Sequence, residues 1–261
     1  MGTGDRFGSL RLSLGRARWR IRSHSSKPLV SIMIPTYNRG ELLAARTLPS
    51  VLRQTYPNWE AVVVGDACTD DTAERIAALG DPRIRFVNLQ KRGEYPEDPL
   101  YRWMVAGTAP ANRALDLARG EWLGGLDDDE VLTDDHIEVL LRLAAEHPDA
   151  EFVYGAADWQ RSPTEWLRIG KPPLQAENLT HSAYLYRSYL RFLKYDITAW
   201  KEGIGADAHM WKRMARLGVR YAFTDRVVCA SPLRPGEDLA GMRAAESRSR
   251  AYHAGFEAPG P

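Results

Sequence analysis

The sequence predicts an α/β fold built on a single, mainly parallel sheet flanked by helices. Short β-branched runs alternate with helical patterns from residue 30 to residue 156, and the polar, chemistry-bearing clusters fall where the runs stop. No internal repeat or linker divides the chain.

Residues 30–35 (VSIMIP) form an apolar run halted by Pro35, which reads as a buried first strand. Residues 41–54 place Leu42, Ala45, Leu48, Val51 and Leu52 at helical spacing, with Pro49 marking a kink or a break. Residues 59–64 are a second strand, and Asp70, Asp71 and Thr72 supply cap-type side chains before a helix over 73–79. A third strand covers 83–89. This alternation implies parallel strands joined by right-handed crossovers. Residues 93–107, with Pro96 and Pro99, break the pattern and read as a loop. A helix over 111–118 closes at Gly120, and a fourth strand over 122–126 runs straight into Asp127, Asp128, Asp129 and Glu130. The helix over 135–146 carries Ile137, Leu140, Leu141 and Ala144 and stops at His147-Pro148, before a strand over 152–156. Beyond it the pattern loosens: a Trp-, Arg- and Pro-rich irregular stretch over 159–173, a strand over 183–186, a helix over 206–217 and a strand over 221–229.

The bulk numbers exclude several classes. With 261 residues and a mean hydropathy of −0.40, the chain can bury the core of one sizeable α/β domain, placed at 29–230. The net charge of +1 provides no field for nucleic acid. Cys68 and Cys229 are too few for a disulfide framework and lack metal-ligand spacing, which suits a reducing, cytoplasmic setting. No apolar run approaches the roughly 20 residues of a membrane span. Residues 1–28 form a basic tail, in which Arg6, Arg11, Arg16, Arg18, Arg20, Arg22 and Lys27 face one acid, Asp5. That tail reads either as solvated and flexible or as a strip that meets anionic lipid or an acidic partner, giving peripheral membrane contact. Residues 231–261 read as a C-terminal helix or tail.

Ligands of open α/β sheets bind at the carboxyl ends of the strands. Three features fall there: Pro35-Thr36-Tyr37-Asn38, Gly65-Asp66-Ala67-Cys68 and the run from Asp127. Adjacent carboxylates repel one another. Mn²⁺ or Mg²⁺ would compensate, taking hard oxygen ligands from the chain and leaving sites for a diphosphate. The alternative is an acidic cluster that favours the dipole of the helix starting near Asp134.

The ordered set VSIMIPTYNR (30–39), QTYPNWE (54–60), GDACTDDT (65–72), LARGEW (117–122) and LDDD (126–129) resembles the family 2 glycosyltransferases. These are inverting enzymes of the GT-A fold, and the resemblance covers roughly residues 29–230. It implies transfer from a nucleoside-diphosphate sugar, UDP- or dTDP-linked by preference, to a hydroxyl of a glycan, lipid, natural product or protein. By position, Pro35, Thr36 and Tyr37 would line the base, and Asp66 would accept a hydrogen bond from a uracil or thymine imide. Asp127 or Asp128 would face the ribose, Asp129 with Asp127 would hold Mn²⁺ or Mg²⁺, and Asn112 would help hold the donor. Asp207 matches the general base, kept ionised by the dipole of its helix; a plain helix N-cap is the alternative.

Departures stand at Gly65, Ala111 and Ala206, where relatives often carry Asp, Arg and Glu. No Gln-x-x-Arg-Trp motif follows Asp207, which argues against a processive synthase. Arg92, His181 and His209 are candidates for diphosphate or acceptor contacts, each with a structural alternative. Trp103, among Tyr95, Tyr101, Trp159 and Trp166, would stack on sugar or acceptor, or pack a lid. The rivals are an inactive nucleotide-sugar-binding module and a sugar nucleotidyltransferase. The latter wants a Gly-rich basic loop after the first strand, which residues 35–40 do not supply. A Rossmann cofactor enzyme is excluded by the absence of G-x-G-x-x-G.

Overall fold

The computed structural model describes residues 3–175 and 178–234. The chain starts with helix α1 (Thr3–Ile21) and enters strand β1 (Val30–Thr36). A helical segment follows, from α2 (Gly40–Leu42) through a π-helical turn (Leu43–Thr47) to α3 (Leu48–Leu52). The widened turn lets the helix pass Pro49, which falls in the first turn of α3, where its missing N–H is least costly. Next come β2 (Trp59–Gly65), α4 (Thr72–Ala78), β3 (Ile84–Asn88), α5 (Pro99–Val105) and α6 (Thr108–Leu117). Then β4 (Trp122–Gly125), β5 (Val131–Leu132), α7 (His136–Glu146), β6 (Phe152–Ser162) and β7 (Glu165–Ile169) lead into the last third. It contains β8 (Tyr184–Arg187), α8 (Ala206–Arg216) and β9 (Tyr221–Ser231).

The strands join in one sheet of order β3-β2-β1-β4-β8-β6-β9-β5, with β7 added to β6. The first four are mutually parallel. β8 is inserted antiparallel between β4 and β6, so β4 and β6 run the same way, and β9 is parallel to β6. Both faces are covered, which is why β1 and β2 read as unbroken apolar runs rather than alternating ones. On one face Met33, Val62, Val64 and Leu123 meet Ala114 and Leu115 of α6 and Trp211 and Met214 of α8. On the other, Ile32, Ile34, Val63 and Leu185 meet Leu48, Val51 and Ile76, together with Ile137 and Leu140 of α7.

Three expectations change. Residues 1–28 are not simply a tail, since α1 is docked: Leu12 is 2% exposed and Arg16 forms a two-bond fork with Glu151 (2.8 and 2.6 Å). Glycine permits the approach, because a Cβ at Gly15 would lie 2.8 Å from the Tyr189 ring. Residues 93–107 are not all loop: Asp98 accepts from the N–H groups of Leu100 and Tyr101 and caps α5. The segment 159–173 is largely the β6–β7 hairpin, an edge whose polar and aromatic residues hid its strand period. Of the expected tail 231–261, residues 235–261 lie outside the described residues.

His136, at the first turn of α7, sits in the core at 0% exposure. Its Nδ1 donates to the Val228 carbonyl (2.9 Å), while Nε2 has no hydrogen-bond partner among the described residues. Burial pushes this imidazole down to about 4. An unfolded imidazole titrates near 6.5, so between those values only the unfolded chain takes up the proton. The stability that the neutral ring allows is therefore present above pH ~6.5 and falls by about 3 kcal/mol as the pH drops toward ~4. In urea titrations across that range, His136→Gln should show a flatter pH dependence than the wild type. Equal slopes would contradict this.

Candidate active site

β1, β2 and β4 lie side by side and parallel, so the turns leaving their carboxyl ends converge. Two of these turns hold non-glycine residues in the left-handed region, Asn38 (φ 50°) after β1 and Ala67 (φ 59°) after β2. Such strain needs over-determination by the surroundings. Asn38 supplies it: its side-chain Oδ1 accepts from the Thr69 N–H (2.8 Å) and its Nδ2 donates to Thr69 Oγ1 (3.2 Å), fastening the two turns.

The acidic run follows β4. Asp128 is nearly buried and accepts from Thr36 Oγ1 (2.7 Å) and Arg39 Nη1 (2.6 Å). Asp129 accepts from the same Arg39 nitrogen (3.0 Å) and from Arg234 Nε. Arg46 donates to the Asp129 carbonyl (3.3 Å) and to the Leu233 carbonyl (3.0 Å), tying the chain after β9 to the cluster. The repulsion expected among these acids is thus offset by arginines. Burial still pushes the Asp128 carboxyl up, with Arg39 working against it. Glu130 is pushed up to about 7 by burial and by Asp127, and its Oε2 has no hydrogen-bond partner among the described residues.

Asp127 is the most open of the run. Its Oδ1 is 2.9 Å from His181 Nδ1, whose Nε2 is 2.9 Å from the Tyr195 hydroxyl; that hydroxyl lies 3.1 Å from the hydroxyl of Tyr184. Gly125 admits the ring, since a Cβ there would sit 2.6 Å from His181 Nε2. Burial opposes the imidazolium, yet Tyr195 and Asp127 outweigh it and hold His181 well above its ordinary value. Reciprocally, burial opposes the charge of Asp127, but His181 keeps its carboxyl below the ordinary range. His181 therefore orients Asp127 in this structure.

Asp207 occupies the first turn of α8, whose N-cap position is Gly205, so it is not the capping residue. Its Oδ1 accepts from the Ala208 N–H (2.7 Å). It lies within electrostatic reach of His181 and Asp127, and burial raises its carboxyl above the ordinary value despite His181. Burial, not the helix dipole, sets the direction of that shift.

At the β2 end, Asp66 is 2% exposed and accepts from the Gly93 N–H (2.9 Å) and the Tyr95 hydroxyl (2.7 Å). A carboxylate has about four lone-pair sites, which leaves room for one more donor. Arg92 stacks 3.7 Å from the centre of the Tyr37 ring and 3.8 Å from Asp66 Oδ2. Pro35, half-buried, is the penultimate residue of the neighbouring strand β1. Gly65 has a steric reason for departing from aspartate: a Cβ would meet Asn88 Oδ1 at 2.5 Å and Cys68 Sγ at 2.9 Å. Asn88 is fixed there by bonds to the Cys68 N–H and carbonyl (both 2.8 Å). Gly65→Asp should destabilise the fold by about 1–3 kcal/mol, seen as a lower thermal midpoint; an unchanged midpoint would refute the crowding argument.

The structure does not bring the remaining candidates together in this way. Asn112 uses its amide on the Tyr195 backbone, donating to the carbonyl and accepting from the N–H (both 2.9 Å), and so fixes the residue that supports His181. His209 stands with Glu202 (3.3 Å) and Asp196 (4.0 Å), not with the acidic run. Trp103 is 67% exposed on α5. The sequence reading gave no role to Arg39, Arg234, Glu130 or Tyr195. Arg39 closes one recognised motif and Glu130 directly follows another, whereas Arg234 and Tyr195 reach the site through tertiary folding that no local pattern signals.

The donor chemistry suits a hard divalent cation. Among the described residues no three acids, histidines or cysteines gather around one point. Mg²⁺-type ions, however, commonly use one or two carboxylates and complete their shell from substrate phosphates and water. Asp127 and Asp129 would supply those oxygens, with Arg39 and Arg234 yielding part of their hold on Asp129.

The family model described as Glycosyl transferase family 2 matches residues 31–95 and 108–211, well over half of the chain. The chain belongs to glycosyl transferase family 2. Among relatives of this family 2 chain, the putative colanic acid biosynthesis glycosyl transferase WcaA of Escherichia coli K12 is 36% identical over 118 residues. That match covers 44% of the chain and 38% of the relative. The E. coli UDP-Glc:alpha-D-GlcNAc-diphosphoundecaprenol beta-1,3-glucosyltransferase WfgD is 32% identical over 128 residues, 49% of the chain and 45% of the relative. The chain spans less than half the length of these curated relatives. Among solved structures, Staphylococcus aureus TarS superposes with a TM-score of 0.64 at 16% identity, over 87% of the chain and 44% of TarS. The Pyrobaculum calidifontis mannosyltransferase PcManGT, in complex with GDP-Man and Mn²⁺, gives 0.62 at 19% identity, over 98% of the chain and 74% of that protein. The fold is of the GT-A type.

Proposed function

We propose that the chain is an inverting, non-processive glycosyltransferase that moves a sugar from a nucleoside-diphosphate sugar to an acceptor hydroxyl. One observation carries the reading. A half-buried carboxylate at a helix start, Asp207, shares an electrostatic neighbourhood with the Asp127–His181 pair at the β4 end, while Asp66 stands at the end of β2 two strands away. Its raised affinity for protons is what a general base for a hydroxyl needs, provided it stays ionised near neutral pH.

In this reading Asp66 accepts the imide N–H of the base, with Tyr37 and Arg92 against its ring and Pro35 and Thr36 beneath. This favours a UDP- or dTDP-sugar. Asp127 or Asp128 faces the ribose. A bound Mn²⁺ or Mg²⁺, held by Asp129 and Asp127, would neutralise charge on the departing diphosphate. Asp207 takes the acceptor's proton as the new C1–O bond forms, and the electron pair of the broken C1–O bond leaves with the diphosphate. His181, locked by Tyr195, keeps Asp127 oriented throughout. Related proteins support the donor class: TarS has been captured with UDP-GlcNAc and PcManGT with GDP-Man and Mn²⁺. A glycan, lipid, natural product or protein acceptor belongs to the same reading.

The test is incubation with UDP-, dTDP- and GDP-sugars and a panel of acceptors, reading product by NMR. An α-linked donor should give a β-linked product. Retention at the anomeric carbon would overturn the mechanism. Nucleotide binding without any transfer would point to an inactive binding module, and pyrophosphorolysis of the donor to a nucleotidyltransferase.

A further inference from the structure

Helix α1 has two faces. Gly8, Leu12, Gly15 and Trp19 recur at steps of four, three and four, with Arg16 beside them, and turn inward: Leu12 is buried, Arg16 grips Glu151, and Trp19 packs on Tyr189 with ring centres 5.5 Å apart. The opposite face is apolar and uncovered. Phe7 (70% exposed), Leu10 (57%), Leu14 (50%) and Ile21 (87%) follow one another at steps of three, four and seven, a single stripe at helical period. From Phe7 to Ile21 it runs about 21 Å at the α-helical rise.

Cations border the stripe. At 100° per residue, Arg11, Arg18 and Arg22 fall along one side and Arg20 along the other. All four are exposed, and among the described residues none of their side chains makes a hydrogen bond or ion pair. Residues 6–28 contain no acid. An exposed apolar stripe flanked by arginines is the pattern of a helix that lies in the plane of a membrane surface, its apolar residues below the headgroups and its cations among anionic ones. A second copy of the chain fits less well: two such helices would set arginine against arginine with no acid to pair them. No helix among the described residues is long and apolar enough to cross a membrane.

We infer that α1 is a docking surface for anionic lipid, lying flat on a bilayer through Phe7, Leu10, Leu14 and Ile21, with Arg11, Arg18, Arg20 and Arg22 on phosphate headgroups. The helix is fixed near the amino ends of β6 and β4, by Arg16 to Glu151 and by His24 to Glu121. The acidic run stands at the carboxyl ends, so docking leaves it uncovered. The inference does not rest on the transferase reading, because binding is measured without any sugar nucleotide.

The test is co-sedimentation of the whole chain with vesicles of phosphatidylcholine alone and of equimolar phosphatidylcholine and phosphatidylglycerol. The wild type should partition onto the anionic vesicles, less so as salt rises, and weakly onto the neutral ones. The double variant Leu10→Asp/Leu14→Asp should bind at least about tenfold more weakly, and Arg11→Glu/Arg18→Glu should lose binding to the anionic vesicles at low salt. Thermal midpoints should be unchanged, since all four side chains are exposed. A wild type that ignores anionic vesicles, or a leucine variant that binds as well as the wild type, overturns the inference. A concentration-dependent dimer abolished by the leucine variant overturns it too, assigning the stripe to a second copy.

Discussion

Asp207→Asn is expected to lower the rate of sugar transfer by about 10²–10⁴-fold, the span of a positioned general base, while nucleotide affinity stays near the wild-type value. The amide keeps the shape of the carboxylate, and its oxygen can still accept from the Ala208 N–H, as Oδ1 does now at 2.7 Å. What it loses is the proton-accepting oxygen. Because burial raises the carboxyl of Asp207, activity of the wild type should decline as the pH falls through that raised value, and the residual activity of the variant should lack this limb. Steady-state kinetics across pH test both statements. Near-normal transfer by the variant would remove Asp207 from the base role.

The second large effect is expected at Asp129. Asp129→Ala should weaken metal-assisted donor binding by about a hundredfold or more, given that even supporting residues of metal sites cost 10–100-fold. Stability should move little. Asp129 shares Arg39 with Asp128, which retains its own 2.6 Å bond to that arginine, and deletion relieves repulsion within the acidic run. Calorimetry with Mn²⁺ present, alongside a thermal scan, separates the two effects. Full metal dependence in the variant would show that Asp129 does not hold the cation.

Much of the fold was legible because parallel strands buried on both faces must be apolar throughout, and helices covering them must be amphipathic; β1, β2 and α7 announce themselves in this way. The edges were not. The β6–β7 hairpin carries Arg, Gln and Trp on half-buried and exposed faces, and α5 owes its start to an Asp98 cap in a stretch that prolines made look like loop. The dimensions of the site were partly legible too, since chemistry-bearing residues cluster directly after strands. The internal economy of the site was not. Asn112, implied as a donor contact, instead clamps the Tyr195 backbone, and the arginines on Asp129 arrive from residues 39 and 234. A one-dimensional pattern records which residues follow a strand, but not which distant cation neutralises them. The first helix shows the same limit: its basic count was plain, whereas the separation of an inward, packed face from an outward apolar stripe needed the docked helix.

Every catalytic role proposed above depends on a donor site at the carboxyl ends of β1, β2 and β4. The most direct measurement is calorimetric titration of UDP, dTDP and GDP, each with and without Mn²⁺. A uracil or thymine nucleotide is expected to bind with micromolar affinity, more tightly with the metal, and this binding should be lost in Asp66→Ala. Absence of binding by all three, with or without the metal, would contradict it.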